Sequence, residues 1–285
     1  YPVDRKGFSE RRPDCCCAQV RGWNREKGEV IMYLSKLEKE IALLETLKAP
    51  GIRKLPLPVL WKIRRFLKDE KLTRIGGKVV VNSFLPPFPG EAFSKLGEGI
   101  EALIDHKPIP VSAYVSVTGQ CRFRCWHCSK AHRSGKDMSR ETVLGTIKDL
   151  QEMGVCIIGF TGGEPLLRDD LEDLVRTVDE RSVSILFTTG DGLTEERGRR
   201  LKEAGLFGAA ASLDHYEPAI HDERRGQKSA FDAAIKAISI FRDAGLYTMI
   251  QLVATKEMAN EQTFQKYLEL AGRLGVHEIR LLEPM

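Results

Sequence analysis

Between Val111 and Leu282, six short strand-like runs alternate with five stretches of helical period. No other feature limits the fold so strongly, because strict alternation is the signature of successive parallel βα units. The spacing predicts strands near Val111–Thr118, Val155–Phe160, Val183–Thr188, Gly208–Leu213, Tyr247–Val253 and Glu278–Leu282. It predicts helices near Arg140–Met153, Asp170–Glu180, Glu195–Ala204, Ala230–Ala244 and Glu261–Leu274, with Gly154, Gly205, Gly245 and Gly275 as stops. A partial (β/α) barrel and a doubly wound open sheet both satisfy this α/β pattern, and both place functional loops at the carboxyl ends of the strands. The chain stops three residues after the sixth run, so the expectation is a fragment, or an edge strand protected by another element.

Before Pro110 the alternation is absent. Residues 1–27 are expected to be a disordered arm, and residues 28–108 a helical module with a connector. Glu29–Lys48 reads as a helix presenting Leu34, Leu37, Ile41, Leu44 and Leu47 on one face, which then needs a partner. Val59–Glu70 reads as a second helix, with Val59, Leu60, Ile63, Phe66 and Leu67 opposite Lys62, Arg64, Arg65 and Lys68. The three prolines of Asn82–Gly90 require an extended connector or flap. The charge is uneven: 21 basic residues face 14 acidic ones up to Pro110, and 23 face 26 after it. Nine of those basic residues lie between positions 51 and 80. A local excess of this kind suits an ordinary helix with a solvated face, or contact with an anionic membrane surface. It does not suit a protein that binds nucleic acid over its whole surface. Charges interrupt every apolar stretch before it reaches the ~18 residues of a membrane span.

The seven cysteines, at 15, 16, 17, 121, 125, 128 and 156, are too clustered and too odd in number for a disulfide framework, and a reducing, cytoplasmic compartment is expected. Cys121, Cys125 and Cys128 follow directly on the first predicted strand, so three thiolates project from the loop at its carboxyl end. Structural zinc usually takes four protein ligands, whereas three thiolates can hold three irons of a cubane and leave the fourth open. A zinc site completed by His127 or His132 is the alternative. Cys156 reads as a small buried hydrophobe. Cys15, Cys16 and Cys17 diverge in an extended segment and are not expected to share a cluster.

Cys121-x3-Cys125-x2-Cys128 after a first strand resembles the signature of the radical S-adenosylmethionine enzymes. Thr161-Gly162-Gly163-Glu164-Pro165-Leu166 resembles that family's methionine-binding motif. The two glycines would let backbone approach a ligand, and Glu164 would supply an anion for its ammonium group. Similarity extends through Thr188-Thr189-Gly190, Ser212-Leu213-Asp214, His221 to Phe231 and Leu281-Leu282-Glu283-Pro284. His127 stands where the family usually has an aromatic residue and takes its role against adenine. The resemblance implies a partial (β/α)6 TIM-like barrel over residues 109–285, with a mostly helical N-terminal module. It implies a [4Fe-4S] cluster on the three cysteines and S-adenosylmethionine held by His127, Gly162, Gly163, Glu164, Pro165, Thr189, Ser212, Asp214, Arg225 and Leu282.

By the same resemblance, S-adenosylmethionine chelates the open iron. One electron from a flavodoxin- or ferredoxin-like donor cleaves it, and the resulting 5′-deoxyadenosyl radical abstracts hydrogen from a substrate over the barrel mouth. No catalytic side chain is implied beyond those that hold the cofactors. The likeness is strongest to the SPASM-like branch of peptide-modifying and cofactor-building members, without its carboxyl-terminal cluster domain. A peptide, a cofactor precursor or a lipid is the expected substrate, with Asn82–Gly90 and the first helices as a lid over the mouth. The competing classes are a non-catalytic zinc protein and an RNA-modifying enzyme.

Overall fold

The computed structural model describes residues 33–130 and 137–283. Cys15, Cys16, Cys17 and His132, and the expectation of a disordered arm, lie outside them.

Six strands form one wholly parallel sheet, ordered as they occur in the chain: β3 (Ser112–Thr118), β4 (Ile157–Gly162), β5 (Val183–Thr188), β6 (Gly208–Ser212), β7 (Tyr247–Val253) and β8 (Glu278–Leu282), after a small antiparallel hairpin of β1 (Thr73–Ile75) and β2 (Lys78–Val80). Successive strands are joined through α5 (Arg140–Glu152), α6 (Leu171–Arg176), α7 (Glu195–Glu203), α8 (Pro218–Arg225) with α9 (Ala230–Asp243), and α10 (Glu261–Leu274). Strand order without reversal, with every crossover stepping to the next neighbour, decides between the two folds the pattern allowed. A doubly wound sheet reverses direction and puts helices on both faces, whereas a barrel does neither. The sheet is a partial (β/α)6 barrel.

Packing on the two faces agrees. Val115, Val117, Ile158, Phe160, Leu186 and Ala209 point outward into a core with the helices. Residues of opposite parity, Ile157, Ile185, Phe187, Ala210 and Met249, point inward. β3 and β8 do not pair, but Arg280 on β8 donates to the Tyr114 hydroxyl on β3 at 3.2 Å. That bond spans the open seam.

The predicted helices are present with their boundaries trimmed by capping. Ser139, Thr194 and Asn260 cap α5, α7 and α10, and Gly275 closes α10. α6 is much shorter than expected, because the chain turns from Thr177 onward.

The N-terminal module comprises α1 (Lys36–Thr46), α2 (Pro50–Arg53), α3 (Leu57–Asp69), the hairpin and α4 (Glu91–Ile104). α4 was not expected from sequence. Its Gly97 lies against Gly51 and Ile52 so closely that an added Cβ would stand 2.4 Å from Gly51 carbon, which is why small residues recur there. α1 corrects an expectation. The buried side chains are Ala42, Leu43 and Thr46, whereas Leu37, Ile41, Leu44 and Leu47 are exposed. The capping box of Ser35 and Glu38 sets the start of α1, and its phase turns the smaller face inward. In α3, Leu67 is buried and Val59, Leu60 and Ile63 pack inward as expected, but Phe66 is exposed with Leu57 and Trp61.

The module's position corrects a second expectation. Leu72, Val80, Phe88 and Phe93 pack with Ile157 and Tyr247, the first residues of β4 and β7. Ser83 donates its backbone and hydroxyl hydrogens to Glu278, the first residue of β8, both at 2.7 Å. The connector and helices therefore plug the amino end of the barrel rather than cover its mouth. Among the described residues it is this module that covers the apolar inward residues at that end from water. Among the described residues no helix is long and apolar enough to cross a membrane.

Candidate active site

The cysteine loop begins where β3 ends and is fixed at both sides. Asp137 accepts from Thr118 Oγ1 at 2.6 Å and Gly119 N at 2.7 Å, which ties the returning chain to the start of the loop. Across the barrel mouth, Arg124 N and Trp126 N donate to the carbonyls of Arg225 and Arg224 at 3.0 and 3.1 Å. That stitch needs a residue without a side chain. Gly226 has φ +58°, and a Cβ on it would lie 2.6 Å from Arg124 O. Cys128 N donates to Cys125 O, tightening the turn that carries the second and third thiols.

All three thiols are free and reach the surface in part. Burial pushes Cys121 and Cys125 upward, and at Cys125 the neighbouring Arg225 guanidinium opposes it. Arg225 Nη1 lies 3.7 Å from Cys125 Sγ, while its Nε meets Asp214 Oδ2 at 2.7 Å. Asp214 is itself buried at the end of β6, where Val253 N donates to its Oδ1 at 3.3 Å. His127 Nδ1 stands 3.9 Å from the same Oδ2, buried and without a hydrogen-bond partner. Burial holds the imidazole below its usual range, so it is neutral at pH 7. Behind this group His221 Nδ1 accepts from Asp214 N at 3.1 Å, its pKa pushed down to about 4 by burial and by Arg225.

In the second loop, after β4, the motif's glycines bring backbone against backbone. Gly163 N donates to Thr118 O and Glu164 N to Gln120 O, at 2.8 and 2.7 Å. A Cβ at Gly162 would lie 2.3 Å from Thr118 O, and one at Gly163 2.1 Å from Gln120 O. The close approach is to the backbone leading into the cysteine loop. Pro165 begins a single 3-10 turn and is buried.

Glu164, 1% exposed, takes four hydrogen bonds: Leu166 N and Thr188 Oγ1 on Oε1, at 3.0 and 2.6 Å, and Thr189 N and Oγ1 on Oε2, at 2.7 and 2.5 Å. Burial raises its pKa while those donors oppose the rise. In this arrangement the carboxylate joins the β4 and β5 loops, and Thr189 donates to it twice. Ser212 stands partly exposed at the end of β6, and Leu282 at the end of β8.

Sequence reasoning missed the supports. Arg168 donates to the carbonyls of Val117 and Met138 at 2.8 and 3.0 Å and pairs with Asp170. Arg197 donates to the carbonyls of Leu166 and Arg168. Neither has a motif-level signal, because each acts through backbone carbonyls. Cys156 is buried at the far end of the sheet with its thiol pushed up to about 12, as expected of a structural cysteine.

The comparisons agree with this geometry. The model of the Radical SAM superfamily matches residues 115–271. The chain is 29% identical over 181 residues to an AdoMet-dependent heme synthase of Nitratidesulfovibrio vulgaris, covering 62% of this chain and 49% of that protein. It is 31% identical over 172 residues to a probable GTP 3',8-cyclase of Saccharolobus solfataricus, covering 59% and 55%. The chain thus spans about half the length of these curated relatives. Among solved structures, Streptococcus suis SuiB bound to precursor peptide SuiA superposes with a TM-score of 0.56 at 16% identity, over 87% of this chain and 56% of that one. From its first barrel strand to its last described helix, through both loops that frame the mouth, the chain belongs to the radical SAM superfamily.

Proposed function

We propose that this radical SAM enzyme acts on a small cofactor precursor, with Cys121, Cys125 and Cys128 holding a [4Fe-4S] cluster and S-adenosylmethionine lying between the cysteine loop and the Gly162–Pro165 loop. One observation carries the reading. A loop of three thiols is stitched across the barrel mouth to Arg225, beside the buried ion pair of Arg225 with Asp214 and the buried His127 Nδ1, which no hydrogen bond among the described residues satisfies.

The donor set suits the group. Three free thiols on one loop are the number that holds three irons of a cubane and leaves the fourth open. When bound, the cluster and S-adenosylmethionine supply one-electron cleavage of a sulfonium and hydrogen abstraction. The chain's part is to position and exclude. Glu164 keeps the β4 and β5 loops in register, and Asp214 orients Arg225 toward the cysteine sulfur. Neutral His127 presents a ring at the mouth. The module at the amino end keeps water from entering the barrel from below. Ligation requires thiolates, so loading releases protons and is favoured as pH rises.

Relatives named for heme and GTP chemistry support a small cofactor precursor over a peptide. A one-electron donor of the flavodoxin or ferredoxin kind is the expected partner. Exposed Leu57, Trp61 and Phe66 on the basic helix α3 favour a second reading, contact with an anionic membrane surface. Flotation with anionic vesicles tests it, and binding that survives charge reversal of Lys62, Arg64 and Arg65 removes it.

The decisive experiment is anaerobic reconstitution followed by reductant and S-adenosylmethionine. About four irons per chain and release of 5′-deoxyadenosine are expected. Cys125→Ala is expected to abolish both. About one zinc with no visible absorbance would sink the proposal in favour of a zinc protein.

A further inference from the structure

Arg280 sits in the middle of β8 with its side chain on the concave face, 6% exposed. The direction is fixed by its neighbours. Phe187 lies on β5, three strands from β8, and can meet it only across the barrel interior, while Tyr114 on β3 meets it across the open seam. The guanidinium carbon is 4.6 Å from the centre of the Phe84 ring and 4.9 Å from that of Phe187. The rings of Tyr114 and Phe187 lie 5.4 Å apart, and Gly159 leaves them room, since a Cβ there would stand 2.6 Å from the Tyr114 ring.

Arg280 Nη2 donates to Tyr114 Oη, but Nε and Nη1 are buried without a hydrogen-bond partner among the described residues. No ion pair among those residues includes Arg280. Glu278, on the same face, is already taken by Ser83 and Tyr247. A buried guanidinium with unused donors is costly unless an anion meets it, and two aromatic faces return only part of that cost. The register also matters. Ser212 pairs with Gln251, and Gln251 with Arg280, so Arg280 shares a row of the concave face with the Ser212 of the mouth. Tyr114, whose hydroxyl accepts from Arg280, is 50% exposed.

We infer that Arg280 anchors an oxyanion of the substrate, a carboxylate or phosphate, inside the barrel. Phe84 and Phe187 hold the guanidinium plane, and the Tyr114 hydroxyl, accepting from Arg280, turns its own hydrogen to the same anion. The inference rests on the proposed function for the identity of the chamber and adds the substrate's chemical class, an anionic precursor.

The test uses the full chain, loaded anaerobically with cluster and S-adenosylmethionine, and ligand-observed NMR. The probes are propionate, inorganic phosphate and, as a neutral control, propionamide. Saturable binding of propionate or phosphate, absent with propionamide, is expected, and the anion that saturates at lower concentration identifies the group. Arg280→Gln is expected to weaken that binding by about tenfold or more, and Tyr114→Phe by a few fold. Arg280→Lys keeps the charge and should retain part of the binding if the glutamine variant folds poorly. Binding of neither anion, equal binding of propionamide, or unchanged binding in Arg280→Gln would overturn the inference. The S-adenosylmethionine-dependent change in the EPR spectrum of the reduced cluster reports separately on the proposed function. Its absence would overturn that reading without bearing on the anion titration.

Discussion

Two buried charges decide most of what single residues do at this mouth. Arg225 is oriented by Asp214 and aimed at a cysteine sulfur, so its hydrogen bond favours the more negative, reduced state of any cluster held there. Arg225→Gln is therefore expected to lower the midpoint potential by about 40 mV, which is ~1 kcal/mol for one electron. Redox titration followed by EPR measures it, and an unmoved potential would reduce Arg225 to a packing role. His221 makes the opposite kind of statement. Its folded pKa of about 4 lies below the ordinary 6.5, so between those values the unfolded chain binds the extra proton. Stability should fall as pH drops from 6.5 toward 4, by at most about 3 kcal/mol from this group. His127, His215 and His277 shift in the same direction and add to the slope. His221→Asn, whose Oδ1 can take the place of Nδ1, should flatten part of that slope in urea melts at pH 5 against pH 7. The close spacing of Cys121, Cys125 and Cys128 was legible in the sequence. The partnership of Asp214 with Arg225, and of Glu164 with Thr188 and Thr189, was not, because each joins residues on different βα units that sequence leaves unrelated.

Loops at this mouth are held by backbone, and that makes glycines the sensitive positions. Gly226→Ala puts a methyl group against Arg124 O at a positive φ. It is expected to cost about 1–3 kcal/mol and to detach the cysteine loop from α8. The checks are the thermal midpoint and iron content after reconstitution; normal iron loading would show that the stitch is dispensable. Helices and strands of the barrel were readable because period 3.6 and period 2 survive in buried, amphipathic elements. α1 was misread for a related reason. Its larger apolar residues form a regular stripe, yet packing follows the side that fits against α3 and the hairpin, which buries Ala42 and Leu43. α4 escaped notice because Gly97 and Gly99 dilute its pattern, although close approach to α2 is why Gly97 is there.

The described residues form a partial barrel stoppered at its amino end, with the cysteine loop at the other. Its N-terminal module covers Ile157, Ile185, Tyr247 and Met249, so a chain starting at residue 109 would expose that apolar surface. Such a truncation is expected to aggregate or to lose cooperative thermal unfolding. If instead it melts cooperatively like the longer chain, the module is a separate unit rather than a plug. Alternation of strand and helix, together with three thiols after the first strand, belongs to the sequence alone: local periodicity and covalent spacing need no partner to be read. The family resemblance implied the barrel, while tertiary structure alone decided that the connector enters the amino end and that Arg280 faces Tyr114 across the seam. Those outcomes depend on long-range burial and on which charge meets which neighbour, and no local pattern encodes either.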